Sequence, residues 1–142
     1  MTITKSNLAS QIVKQETSAA GTLHFFNNMA VAEFNEGIHL DLNSGRKIVH
    51  DLLNYFGNTK PFGLISNRIN SYSIELIETN EVKSIFPNLV AYGIVSHNEA
   101  GRMNAEIESH YCASSNISFD NIYEGMDIVF KRVLKHLPVS IK

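Results

Sequence analysis

Residues 89–95, Leu-Val-Ala-Tyr-Gly-Ile-Val, form a nearly continuous apolar run. A run this short with no polar interruption suits a strand covered on both faces, and such strands belong to parallel sheets flanked by helices. A second run, residues 62–65, reads the same way and ends abruptly in small polar groups and one arginine. Around these runs lie stretches with helical spacing. Leu42, Ile48, Val49, Leu52, Leu53 and Phe56 share one face of a helix over residues 41–56. Asp41 is its N-cap, and Gly57 followed by Pro61 is its stop. Ser73 caps a weaker helix running to about residue 85, stapled by Tyr72 and Ile77 and ended by Pro87-Asn88. Ser96-His97-Asn98-Glu99 has the form of a capping box and opens a third helix, with Ala100, Met103, Ile107 and Tyr111 inward. Asp120 or Asn121 caps the last helix, whose stripe is Ile122, Met126, Val129, Phe130, Val133, Leu134 and Leu137. Lys131, Arg132, Lys135 and His136 in its last turns suit the helix dipole.

The remaining strands are shorter. Residues 23–26 and 29–34 form a hairpin about Asn27-Asn28, asparagine tolerating the positive φ of such turns. Residues 12–15 read as an edge strand, and residues 117–119 as a last short one. Residues 1–10 are polar and expected to fray. The order β-β-α-β-α-β-α-β-α implies right-handed crossovers. The fold class is α/β, one domain with a mixed, mainly parallel sheet of about four to five strands, an N-terminal β-hairpin and about four helices. That domain occupies residues 22–138, after a partly disordered or edge-strand segment at 1–21 and before a tail at 139–142.

A chain of 142 residues suits one domain and needs no disulfide or metal staple. Its net charge of -2 gives no sign of the basic face that nucleic-acid binding requires. Cys112 is the only cysteine, so no internal disulfide forms. Residues 1–21 carry Lys5, Lys14 and Glu16 and no signal-type apolar run, and no window approaches the ~20 apolar residues of a membrane span. A cytoplasmic location is the expectation.

In open α/β sheets, ligands and partners bind beyond the carboxyl ends of the strands. Three polar loops are expected there. The first carries Glu36, His39 and Asp41; the second Ser66, Asn67, Arg68, Asn70, Ser71 and Ser73; the third Ser96, His97, Asn98 and Arg102. The last two lead into helix N-termini, which favour anions, and Arg68 and Arg102 offer fork geometry to a carboxylate or phosphate. Turns and caps use the same residue types, so Ser73, Ser96 and Asp41 serve equally as caps, and Asn67 and Asn70 as local backbone partners. No histidine pair has a recognised metal spacing, and the G-x-S-x-G, G-x-G-x-x-G and P-loop patterns are missing. The expectation is a non-enzymatic protein with no cofactor and no metal. Glu75, Glu78 and Glu81 form a solvated helix face, and Cys112 is a packing residue.

Several stretches together carry a resemblance: NEG at residues 35–37, HLDL, FGLISNRINSYS, LVAYGIV, NEAGRMNAEIE and ISFDNIYEGMDIVFKRVL. Over residues 22–137 the chain resembles the SpoIIAA-like branch of STAS domains, with a likeness also to CRAL-TRIO lipid-transfer domains. The resemblance implies a binding function of the anti-sigma factor antagonist type, worked through the loops after the third and fourth strands. In that family a serine in a D-S-[ST]-G pattern is phosphorylated and switches partner binding. Its counterparts here lie between Ser66 and Ser73, where the chain reads Ser71-Tyr72-Ser73-Ile74, with no aspartate before and no glycine after. The partners implied are a protein, or alternatively a small anionic or lipid ligand held by Arg68 and Arg102. An unrecognised enzyme using His39, His97 or Ser66 is a further alternative, and the oligomeric state is open, a homodimer included.

Overall fold

The computed structural model describes residues 1–75, 84–99, 101–103 and 117–137. Its strands are β1 (Lys14–Thr17), β2 (Gly21–Phe25), β3 (Met29–Phe34), β4 (His39–Leu40), β5 (Phe62–Arg68), β6 (Ser73–Ile74), β7 (Leu89–Ser96) and β8 (Ser118–Phe119). Two α-helices are described whole, α1 (Arg46–Phe56) and α2 (Ile122–Leu134). Helical residues also stand at 84–85 and 99–103, Ala100 apart.

The protein is α/β with a mixed sheet. Six strands run in the order β1-β2-β3-β5-β7-β8, and β4 and β6 form a separate pair. The β1–β2 and β2–β3 pairings are antiparallel; β3–β5, β5–β7 and β7–β8 are parallel. The main sheet therefore has more strands than expected from the periodicity.

Each face has its own core. On one, α1 packs Ile48, Leu52 and Phe56 against Phe25, Phe34 and Phe62, with the Phe56 and Phe62 rings stacked at 4.2 Å. On the other, α2 packs Met126, Val129 and Val133 against Val31, Ile65 and Val95. Glycines set this second distance. A Cβ on Gly63 would stand 2.6 Å from Val129 Cγ1, and one on Gly93 2.9 Å from Val129 Cγ2. The helix lies too close to the strands for any larger residue there.

Several expectations need correction. The first helix begins at Arg46 rather than Asp41, because Asp41 closes a turn of its own: Ser44 N–H donates to Asp41 Oδ1 at 2.8 Å. Its stop holds, since Gly57 has φ +69° and donates to Leu53 O at 2.8 Å. Ser73 is not a helix cap. Ser73 N–H donates to Ile38 O at 3.0 Å and Glu75 N–H to Leu40 O at 2.8 Å, which makes Ser73-Ile74 a strand beside β4. The body of the helix expected after it, with Glu78 and Glu81, lies outside the described residues, as does Cys112. Phe130 is 42% exposed and belongs outside the apolar stripe of α2, whose contact line runs through Val129 and Val133.

Residues 1–11 lie against the sheet, with 3₁₀ turns at Ile3–Lys5 and Ala9–Gln11, and Ile3 is fully buried on the α2 face. The edge strand β1 begins at Lys14, two residues later than expected.

Candidate functional site

β3, β5 and β7 run parallel, so their carboxyl ends share one rim, and hydrogen bonds tie the loops leaving them into it. Ser71 N–H donates to Glu36 Oε2 at 2.7 Å, and Gly37 N–H to Ser71 O at 2.7 Å. His39 Nδ1 and Ser73 Oγ are hydrogen-bonded at 2.7 Å, with Glu75 Oε2 3.8 Å from the other ring nitrogen. Asn70 Nδ2 donates to Phe34 O at 3.0 Å. His97 bonds to Asn67 at 2.8 Å, which links the third loop to the second.

Four of the six residues in the polar string after residue 65 are not loop at all, Ser73 in β6 among them. β5 continues through Arg68, so Ser66, Asn67 and Arg68 are strand residues, and all three are buried. Alternation sends them to opposite faces. Ser66 and Arg68 turn to the α1 face, where Ser66 Oγ shares a 2.5 Å hydrogen bond with Tyr72 Oη and the Arg68 guanidinium lies 5.1 Å from the Tyr72 ring centroid. Asn67 turns to the α2 face. The Arg102 guanidinium instead pairs with Asp120 at 3.1 Å, next to the start of α2. The two arginines expected on one anion thus engage different partners.

Ser96 ends β7 with its side chain fully buried. The cap of the following turn is Asn98, whose Oδ1 accepts from Gly101 N–H at 2.7 Å. Asn121, rather than Asp120, caps α2 by accepting from Glu124 N–H at 2.8 Å.

A buried carboxylate with three hydrogen-bond partners is missing from the residues named from the sequence. Glu33 sits in β3, where every residue is buried. Its Oε1 accepts from His24 Nε2 at 3.1 Å. Its Oε2 accepts from Asn67 Nδ2 at 2.7 Å and from Ile3 N–H at 2.8 Å. Asn67 Nδ2 also donates to Met1 O at 3.0 Å. With the carboxamide nitrogen so used, Asn67 Oδ1 is an acceptor, and His97 Nε2 must carry the proton it receives. The result is a hydrogen-bonded chain, His24–Glu33–Asn67–His97, laid across β2, β3 and β5 to the loop after β7. Register makes it climb: His24 is opposite Val31, two residues short of Glu33, and Asn67 is opposite Val95, two short of His97. The chain therefore starts deep and surfaces at the rim.

Burial alone would raise the Glu33 pKa. The bonds from His24, Ile3 N–H and Asn67, with the His24 charge, outweigh it and hold Glu33 below the ordinary carboxylate value. His97 is lowered, first by burial and then by the positive Met1 amino group, against a smaller opposite pull from Glu33. A signal for this chain did exist. His24 and Glu33 are buried in adjacent hairpin strands whose only other polar residue is Thr22, and a buried charge in such a place needs a partner.

Among the described residues, no three His, Cys, Asp or Glu side chains converge as a metal ion would require, and no helix is long and apolar enough to cross a membrane. Comparison with protein-family models, curated proteins and solved structures found no match.

Proposed function

We propose that the chain is a regulatory protein-binding module of the STAS, SpoIIAA-like type, non-enzymatic and cytoplasmic, which docks its partner on the rim at the carboxyl ends of β3, β5 and β7. The observation that supports this reading is the cross-tying of the three loops. Glu36–Ser71, His39–Ser73 and Asn67–His97 make one continuous edge from segments far apart in sequence. His39, Ser71, Ser73, His97, Asn98 and Arg102 present exposed polar groups along it, while Ser66, Asn67 and Arg68 lie beneath and hold it in place. A rim fixed from below loses little entropy on docking, which favours binding.

Ser73 is the position on this edge best suited to a switch. A phosphate there would stand beside His39 and Glu75, adding nearly two negative charges to the docking surface. An anionic small molecule or lipid fits less well, because Arg68 and Arg102 would have to leave Tyr72 and Asp120 to share one head group.

The test is affinity capture with three baits: the wild type, Ser73→Asp on the rim, and His50→Ala on the exposed side of α1. The reading expects one specific partner retained by wild type and His50→Ala and lost by Ser73→Asp. Equal capture by all three places the docking surface elsewhere.

A further inference from the structure

The N-terminal segment is attached to the sheet in an unusual way for a piece of core. Of its first thirteen residues only Ile3 and Ser6 are buried. Ser6 serves the segment itself, its Oγ donating to Ile3 O at 2.6 Å. No strand pairing holds residues 1–12. Ile3 alone of their apolar side chains is fully buried, with Leu8 and Ile12 packed partly buried against the same cluster and Asn7 N–H donating to Tyr123 Oη at 3.1 Å. Side chains of the sheet read the backbone around Ile3. Ile3 N–H goes to Glu33, and Met1 O takes the Asn67 amide. The Ile3 side chain joins the cluster of Phe26, Met29, Val31 and Ile65.

That arrangement is how a receptor holds a peptide. A carboxylate and a carboxamide, both at least nine-tenths buried, recognise the N–H of one residue and the C=O two residues before it. An apolar seat takes the side chain between α2 and the hairpin. Without an occupant, Glu33 and Asn67 would each lose a hydrogen bond in a buried setting, so the seat demands a replacement that offers the same two groups.

We propose that this seat is a peptide-binding site and that residues 1–12 are its exchangeable resident. The ligand class is a peptide with a β-branched apolar residue at the start of a 3₁₀ turn, a free main-chain N–H on that residue and a carbonyl two positions earlier. A segment with no strand pairing and a single fully buried apolar side chain opens at a lower free energy than the sheet beneath it, so the resident leaves without global unfolding. The seat lies under the rim, and it stands independently of which partner the rim docks.

The test uses the full chain. The probe is a synthetic peptide of residues 1–12, labelled with fluorescein at its C-terminus and followed by anisotropy. Ile3→Asp detaches the resident without altering the seat. This variant is expected to bind the probe at least tenfold more tightly than the wild type, because the competitor in cis is gone. Adding Asn67→Ala or Glu33→Gln to it should weaken binding at least tenfold, and a probe carrying Ile3→Asp should not bind. A folded Ile3→Asp protein that takes the probe no better than a scrambled peptide overturns the proposal. So does an Ile3→Asp protein that fails to fold, since the segment would then belong to the cooperative core. Amide exchange of the wild type decides separately. Exchange at Ile3 at least tenfold faster than at buried β3 and β5 amides supports the proposal, and equal rates overturn it.

Discussion

Glu33 is a carboxylate in a strand with every residue buried, and three donors keep it ionised there. Its stability contribution has a definite sign. A carboxylate held below its ordinary value of 4.5 stabilises the fold above that pH, and the contribution fades as pH falls through the native value. His97, held below its ordinary 6.5, takes up its proton more readily in the unfolded chain, so it too costs stability as pH falls below 6.5. Denaturation midpoints should therefore decline in two stages on acidification, first below about 6.5 and then below about 4.5. His97→Ala should remove the first stage, and Glu33→Gln the second; a curve unchanged by either substitution would contradict these assignments. Asn67 uses both ends of its carboxamide, so Asn67→Ala should cost about 1–3 kcal/mol in urea unfolding. The exposed Ser71 bonds through its backbone, and Ser71→Ala should stay within about 0.5 kcal/mol.

At the scale of elements, the contact between α2 and the sheet depends on glycine. Gly63→Ala or Gly93→Ala must push Val129 aside and should lower stability by about 1–3 kcal/mol in thermal or urea unfolding. Val129→Asp buries an unpaired charge and should prevent folding, whereas Phe130→Ser, half in solvent, should be nearly silent. Circular dichroism separates the two. Elements with a clean period were legible in the sequence: β3 spans residues 29–34, the helix stop falls at Gly57, and the final helix starts after Asn121. What escaped was polar sequence doing buried work. Ser66, Asn67 and Arg68 look like a loop, yet β7 alongside takes their backbone bonds and carries the strand on to Arg68. Ser73 looks like a cap, yet β4 claims its N–H. Residues 1–10 look polar and unattached, yet Glu33 and Asn67 bond their backbone at Ile3 and Met1. Each reversal depends on a partner from 28 or more residues away, which no local window contains.

For the whole molecule, parallel strands bring distant loops to one edge, and a buried chain of side chains braces that edge from below. The rim residues named from the sequence meet there in part: His39, Ser71, Ser73 and His97 are tied across loops, Asn98 caps its own turn, and Arg68 and Arg102 point to other tasks. The opposite edge carries the Asn27-Asn28 turn and the segment from Gly57 to Pro61, joined where Lys60 Nζ donates to Asn27 O at 2.9 Å. A partner that uses the rim must shield one end of the sheet and leave the other open. Amide hydrogen exchange of the protein alone and in complex with its captured partner measures this directly. Protection gathered in residues 36–44, 69–75 and 97–103 is the predicted result; protection gathered in residues 26–28 and 57–61 instead would contradict the account.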